Sequence, residues 1–508
     1  MSEFSDKTSS LIDGLEDGWL FGRKIDLYDS QWHAFRSSLM LLSSLALFHI
    51  MCVNATRTAW IGMRYFVQLV FGMGFLLVLH GYKTVYILGI AILNYSLRYM
   101  FVGKRLVAAV WVFNLGALVV VSGTGESWPI PDFLKPYSGM EGWAHHFNMV
   151  ILKMISFGID YQRAVESGPS SKFGSFSYKE RQEGNRTLSE YSLLYYVTYL
   201  CYAPLFIAGP IISFNAWQSQ MLIPQKTYSV KGILMYGLRW VGVFFLMELF
   251  CHFNYSNAIA AQKGEAMDQI PSLLVALFLS VCVLFFMWLK FLLMWRFFRL
   301  WSLAAGIEAP ENMTRCVLNN YSIALFWKGW HSSFNLWIVR YIYIPLGGSA
   351  LTTFTRLLNI LLVFTFVALW HDLDWRVFHW AFFVSAIFVP ELVGGAIYGN
   401  SKFFKTLKLS HPYWCKRIVI CAGSLNVFLL IACNLVGYVF GFDGLGILVR
   451  LAHRTATPVA VAFVCVCFYC AVSLMMYLER QKGEKSRKPN TPELTHPTSP
   501  LTPRTLSI

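Results

Sequence analysis

Charged side chains are scarce in this chain. Asp, Glu, Lys and Arg make up 14% of its 508 residues, whereas soluble domains carry about a quarter. The shortage runs along nearly the whole length. That excludes a soluble protein with one anchor and points to a polytopic membrane protein. Acidic residues are the rarer sign, 27 against 42 basic, giving a net charge of +15. In a soluble chain such an excess would suggest nucleic acid. Here Lys and Arg sit mostly in loops and tails, where they act as topology signals and contacts for anionic headgroups, so no nucleic-acid partner is expected.

Other features are missing too. The 11 cysteines contain no CxxC pair. Cys465, Cys467 and Cys470 fall in the apolar run "VAFVCVCFYC" (461–470) and are expected to be small core residues. A zinc centre would want tighter ligand patterning, and no metal is expected. Residues 1–35 mix Asp and Glu with polar residues, unlike a secretory leader. No Gx[ST]xG elbow and no obvious Cys-His dyad is present, which argues against a covalent acyl-enzyme. No internal repeat is visible, which weighs against a transporter built from inverted halves.

What is present is apolar: 56% hydrophobic and 17% aromatic residues. A membrane span needs roughly 20 such residues. Candidates are 37–53, 64–80, 84–99, 105–123, 191–214, 231–253, 272–295, 357–371, 375–391, 418–441 and 457–477. Two more polar helical pieces, 145–158 and 316–344, are expected to be re-entrant or to lie across a pocket. The expected fold is all-α, with about 11 transmembrane helices plus re-entrant ones. A polar N-terminal segment (1–35) precedes a membrane domain (36–478), and a disordered basic tail (479–508) follows. Residues 163–186 read as a solvated loop. The basic tail and the basic ends of 402–417 and 356 place the C-terminus in the cytosol. The pair 357–391 is then a helical hairpin with its turn facing away from the cytosol.

That turn reads "FVALWHDLDW" (366–375). His371, Asp372 and Asp374 interrupt two apolar runs, and ionisable groups at membrane depth usually line a functional cavity. The fourteen apolar residues before His371 rise only about 21 Å, less than the ~30 Å hydrocarbon core. A second polar island, "FWKGWHSSFNLWIVRYIYIPLGG" (326–348), holds Lys328, His331, Asn335 and Arg340. At helical spacing His331 and Asn335 share a face. Two Trp-His pairs, Trp330-His331 and Trp370-His371, suggest one site, with a neutral imidazole as general base for a hydroxyl or amine. The two aspartates either orient His371 or cap the turn.

These two motifs resemble the membrane-bound O-acyltransferase (MBOAT) family, in its glycerol-uptake-protein (Gup1) branch, related to Hedgehog acyltransferase. "YLCYAPLFIAGPIISFNAW" (199–217) and "HHFNMVILKMISFGIDYQR" (145–163) are similar to that branch as well. The resemblance covers roughly 30–480. It implies a bundle with a central tunnel, an invariant histidine at His371 and a second active-site residue at His331. It implies acyl-CoA as co-substrate, no cofactor, and an acceptor from the far side or from the lipid. For this branch the acceptor is a lyso form of a glycosylphosphatidylinositol (GPI) anchor, remodelled in the endoplasmic reticulum. Trp330, Trp370, Asn335, Lys328 and Arg340 are the expected substrate-binding residues, with Arg296 and Arg299 as further candidates for the CoA phosphates. The alternatives are a protein N-acyltransferase of the Hedgehog type and a glycerol transporter.

Overall fold

The structure is a computed structural model that describes residues 15–57, 59–129, 131–170, 177–261, 272–348, 352–440, 450, 453 and 457–487. It is almost entirely helical. In chain order the helices are α1 (Ser30–Ala55), α2 (Ile61–His80), α3 (Thr84–Met100), α4 (Gly103–Thr124), α5 (Ala144–Ser167), α6 (Tyr178–Glu183), α7 (Leu193–Leu200), α8 (Phe214–Leu222), α9 (Val230–Phe253), α10 (Ser256–Ala261), α11 (Leu273–Ala304), α12 (Ile323–Gly329), α13 (Ser332–Ile338), α14 (Thr353–His371), α15 (Trp375–Asn400), α16 (Lys402–Ser410), α17 (Pro412–Asn434) and α18 (Pro458–Arg487). Among the described residues, nine helical stretches are long and apolar enough to cross a membrane. One of them, Ile61–Met100, runs for 40 residues. It contains both α2 and α3, joined by a 3-10 turn at Gly81–Lys83. Gly81 has φ 56°, and a Cβ there would sit 1.8 Å from the Tyr137 carbonyl oxygen, so only glycine fits this joint.

The expected span 191–214 is not one. It divides into α7, a 3-10 turn at Ala203–Leu205 and an extended stretch that leads into α8. Pro204 and the Gly209-Pro210 pair break the helical ladder, because proline offers no N–H. Tyr199, Leu200, Cys201 and Tyr202 are all buried, so this apolar run packs inside the protein instead of facing lipid. The polar piece at 145–158 belongs to α5, whose Val150, Ile151, Leu152, Met154 and Ile155 are completely buried. This helix is a central post of the fold. A Cβ on Gly158 would lie 2.8 Å from Val110, which is how α4 and α5 come so close.

The ends differ from expectation as well. Residues 16–25 form a two-strand hairpin (β1, Glu16–Asp17; β2, Lys24–Ile25), and α1 already starts at Ser30. Trp19 Nε1 and Arg36 donate to Glu248 on α9, tying the N-terminal segment to the bundle. The stretch 163–186 completes α5 and adds α6, with Arg181, Gln182 and Arg186 buried. At the other end α18 continues to Arg487, and Glu479 accepts from Arg315 and from the Tyr321 hydroxyl. Residues 488–508 lie outside the described residues. Cys465, Cys467 and Cys470 are exposed on α18, not in the core. Of the elements described, α18 packs mainly on α17, so only a narrow stripe including Val472 and Met475 is covered.

Candidate active site

A cavity of about 2320 Å³ runs through the bundle. Ordinary ligand pockets hold about 300–1,000 Å³, so this one has room for a long chain as well as a head group. Its walls are mostly aliphatic and aromatic side chains of α1, α2, α11, α12, α14, α15 and α17. Two of its polar side chains come from opposite ends of α14. Arg356, near the start of α14, and His371, at its end, both line the cavity. They are about 22 Å apart along the helix at 1.5 Å per residue.

His371 is placed by a regular helix. α14 has 19 residues, about 28 Å, because Thr353–Arg356 add a first turn to the apolar run. The hairpin arm is therefore longer than its apolar residues alone suggested. Thr352 caps its start by accepting from Thr355 N. Its last turn is anchored from α5. Asn148 Nδ2 donates to the Trp370 carbonyl oxygen at 2.7 Å, and Trp370 Nε1 donates to the Asn148 carbonyl oxygen at 2.8 Å. A helix end leaves its last carbonyls without partners, and Asn148 satisfies one of them. Asp374 caps α15, accepting from Arg376 N at 2.8 Å and pairing with the Arg376 side chain. Asp372 accepts from Leu373 N. Both aspartates thus serve the turn.

His331 is placed by a break. The island 326–348 is not one continuous helix. α12 ends at Gly329, His331 takes a left-handed backbone (φ 47°, ψ 50°), and α13 begins at Ser332. That conformation is uncommon for a residue with a side chain, though histidine is enriched there. Neighbouring groups hold it. Ser332 N donates to the Asn312 carbonyl oxygen at 2.9 Å, and Ser333 N to Asn312 Oδ1 at 3.1 Å. Asn312 is fully buried. Ser333 Oγ accepts from Ile211 N, which brings in the 199–217 segment. Glu391 of α15 caps α12, accepting from Ile323 N at 2.6 Å and from the Ser322 hydroxyl at 2.7 Å.

These two routes meet at Trp370. The His331 ring lies 6.1 Å from the Trp370 ring and the His371 ring 4.8 Å from it, centroid to centroid. His331 also stacks on Trp295 at 4.5 Å. Its Nε2 is buried with no hydrogen-bond partner among the described residues. A buried orphan of this kind costs about 1–3 kcal/mol unless something binds it. Trp330, Asn335 and Lys328 line the same cavity. Lys328 makes no ion pair or hydrogen bond among the described residues.

Arg340 does not join them. Its guanidinium donates to Asp160 Oδ1 at 2.9 Å, and Asp160 is fully buried. Arg296 and Arg299 pair with Glu311. None of the three lines the cavity. A bare cation at membrane depth is expensive, so these arginines have taken structural carboxylates as partners. Sequence reasoning passed over Glu391 and Asn148. Glu391 was visible as an acid closing an apolar run, the same signal that marked His371.

The sequence matches the model of the membrane-bound O-acyltransferase family over residues 38–432. It is 34% identical to the membrane-bound O-acyltransferase gup1 of Schizosaccharomyces pombe, over 93% of this chain and 83% of that protein. It is 33% identical to GUP1 of Saccharomyces cerevisiae, over 85% and 78%. The protein-cysteine N-palmitoyltransferase HHAT of Mus musculus is more distant, 28% identical over 38% of this chain and 39% of that one. The chain belongs to the membrane-bound O-acyltransferase family. As a member of that family it is a multi-pass membrane acyltransferase, and its cavity, with a histidine from each polar island, is the candidate active site.

Proposed function

We propose that this acyltransferase moves a long fatty acyl chain from acyl-CoA to a lipid hydroxyl, with a lyso-GPI as acceptor. It acts in the endoplasmic reticulum membrane with its C-terminal tail in the cytosol. The observation that carries this reading is the convergence of His331 and His371 on one tryptophan in one large apolar cavity. His371 takes the proton of the attacking hydroxyl as its oxygen bonds to the thioester carbonyl carbon. The carbon–sulfur bond then breaks, and the protonated imidazole returns the proton to the CoA thiolate. His331 Nε2 donates to the oxyanion, and Asn335 stands beside it to orient the acceptor. Such a donor contributes about 3–4 kcal/mol in a dry site. Lys328 and Arg356 supply positive charge for the CoA phosphates, while Trp330 and Trp370 wall the reacting carbonyl.

The test is to incubate purified protein with labelled palmitoyl-CoA and, separately, a lyso-GPI, a lysophospholipid and a peptide with a free N-terminus. Label is expected in an ester on the lyso-GPI. An amide on the peptide, with no lipid ester, would overturn the reading in favour of N-acyl transfer.

A further inference from the structure

Arg356 and Lys328 bring cations to the cavity, and Glu391 brings a carboxylate. Besides His331 and Asn335, a short segment before and within α5 lines it with Glu141, His145, His146 and Asn148. The Asn148–Trp370 pair fixes this segment beside His371. The chemistry of that pair fixes the amide too. The Trp370 carbonyl oxygen only accepts, so Asn148 must turn its NH2 towards it and leave Oδ1 facing elsewhere. Oδ1 is buried and has no partner among the described residues. The Glu141 carboxylate makes no hydrogen bond or ion pair among the described residues, although the Glu141 backbone is held by Leu79 and His80. Glu141 and His145 are both exposed to the cavity and solvent, and His145 likewise makes no hydrogen bond among the described residues. A free carboxylate and an orphaned amide oxygen can only accept hydrogen bonds. The reacting hydroxyl cannot satisfy them, because its one proton goes to His371.

We propose that Glu141, His145 and Asn148 form a subsite for the acceptor's head group, and that it selects heads carrying O–H or N–H donors beyond the reacting hydroxyl. Polyol and amine heads fit; a quaternary ammonium head does not. This rests on the acyl-transfer reading and narrows its acceptor class. A polar site left unpaired by a substrate rejects that substrate strongly, so a partly exposed subsite discriminates by about tenfold or more.

The experiment compares three lysophospholipids with the same chain, phosphodiester and free hydroxyl: inositol, ethanolamine and choline heads. With palmitoyl-CoA as donor, kcat/KM for inositol and ethanolamine should exceed that for choline by about tenfold. Glu141→Gln, which leaves the Asn148–Trp370 anchor in place, should flatten this order while the KM for palmitoyl-CoA stays unchanged. Equal use of choline by the wild-type protein, or an equal fall for all three heads in the variant, would overturn the subsite. Binding of the same three lipids to His371→Ala protein reads the subsite without turnover. If that binding keeps the order and the wild-type protein forms no ester with any of the three, the acyl-transfer reading fails and the subsite stands.

Discussion

The two histidines reach the same cavity by opposite means. His371 ends a regular 19-residue helix, and its turn is closed by neighbours in sequence: Asp372, Asp374 and Arg376. His331 sits on a left-handed residue between two seven-residue helices. Its partners are distant: Asn312 and Ile211 clamp the turn, and Glu391 caps the helix before it. The difference teaches that the helix carrying His371 is set by its own sequence, with one distant anchor at Asn148, whereas the turn of His331 exists only once the bundle has closed. Damage to the scaffold should therefore fall unevenly on the two.

The largest effect is expected at Arg340. Arg340→Ala leaves the fully buried Asp160 with Tyr341 and a longer contact to Arg163. Breaking a buried pair in this way should lower stability by about 3 kcal/mol, read as a fall in Tm in detergent. The KM for acyl-CoA should hold in whatever remains folded, since Arg340 does not line the cavity. A selective rise in that KM with an unchanged Tm would return Arg340 to the substrate site. Next is Asn312→Ala, which strands Ser333 N and frees the His331 turn. A loss of about 1–3 kcal/mol is expected, with a fall in kcat. Replacing His331 itself by Asn, which tolerates the left-handed region, should keep the fold and lower kcat alone. The smallest effect is expected at Asp374→Ala on the exposed turn, where Tm and turnover should barely move. A large loss there would mean that the turn after His371 is more than a local cap.

This unevenness also governs what the sequence made legible. The helical class, ten of the eleven expected spans and the position of His371 follow from hydropathy, because a helix in lipid must satisfy its own backbone. The 191–214 stretch was misleading for the converse reason: burial in protein looks like burial in lipid to a hydropathy argument. The break at His331 was not legible, because the groups that stabilise it lie far away in sequence. Arg340 looked like a phosphate ligand until Asp160, 180 residues away, was placed against it. Trp330 and Trp370 were legible only as companions of the histidines. That Trp370 joins the two rings needs the packed structure.

The central claim is that His371 performs the proton transfer in this cavity. Purified His371→Ala protein, checked for unchanged Tm and monodispersity, should be assayed for transfer from palmitoyl-CoA to a lysolipid. General base catalysis contributes about 10²–10⁴-fold, and the account predicts a loss in that range. Transfer at close to the wild-type rate would contradict it.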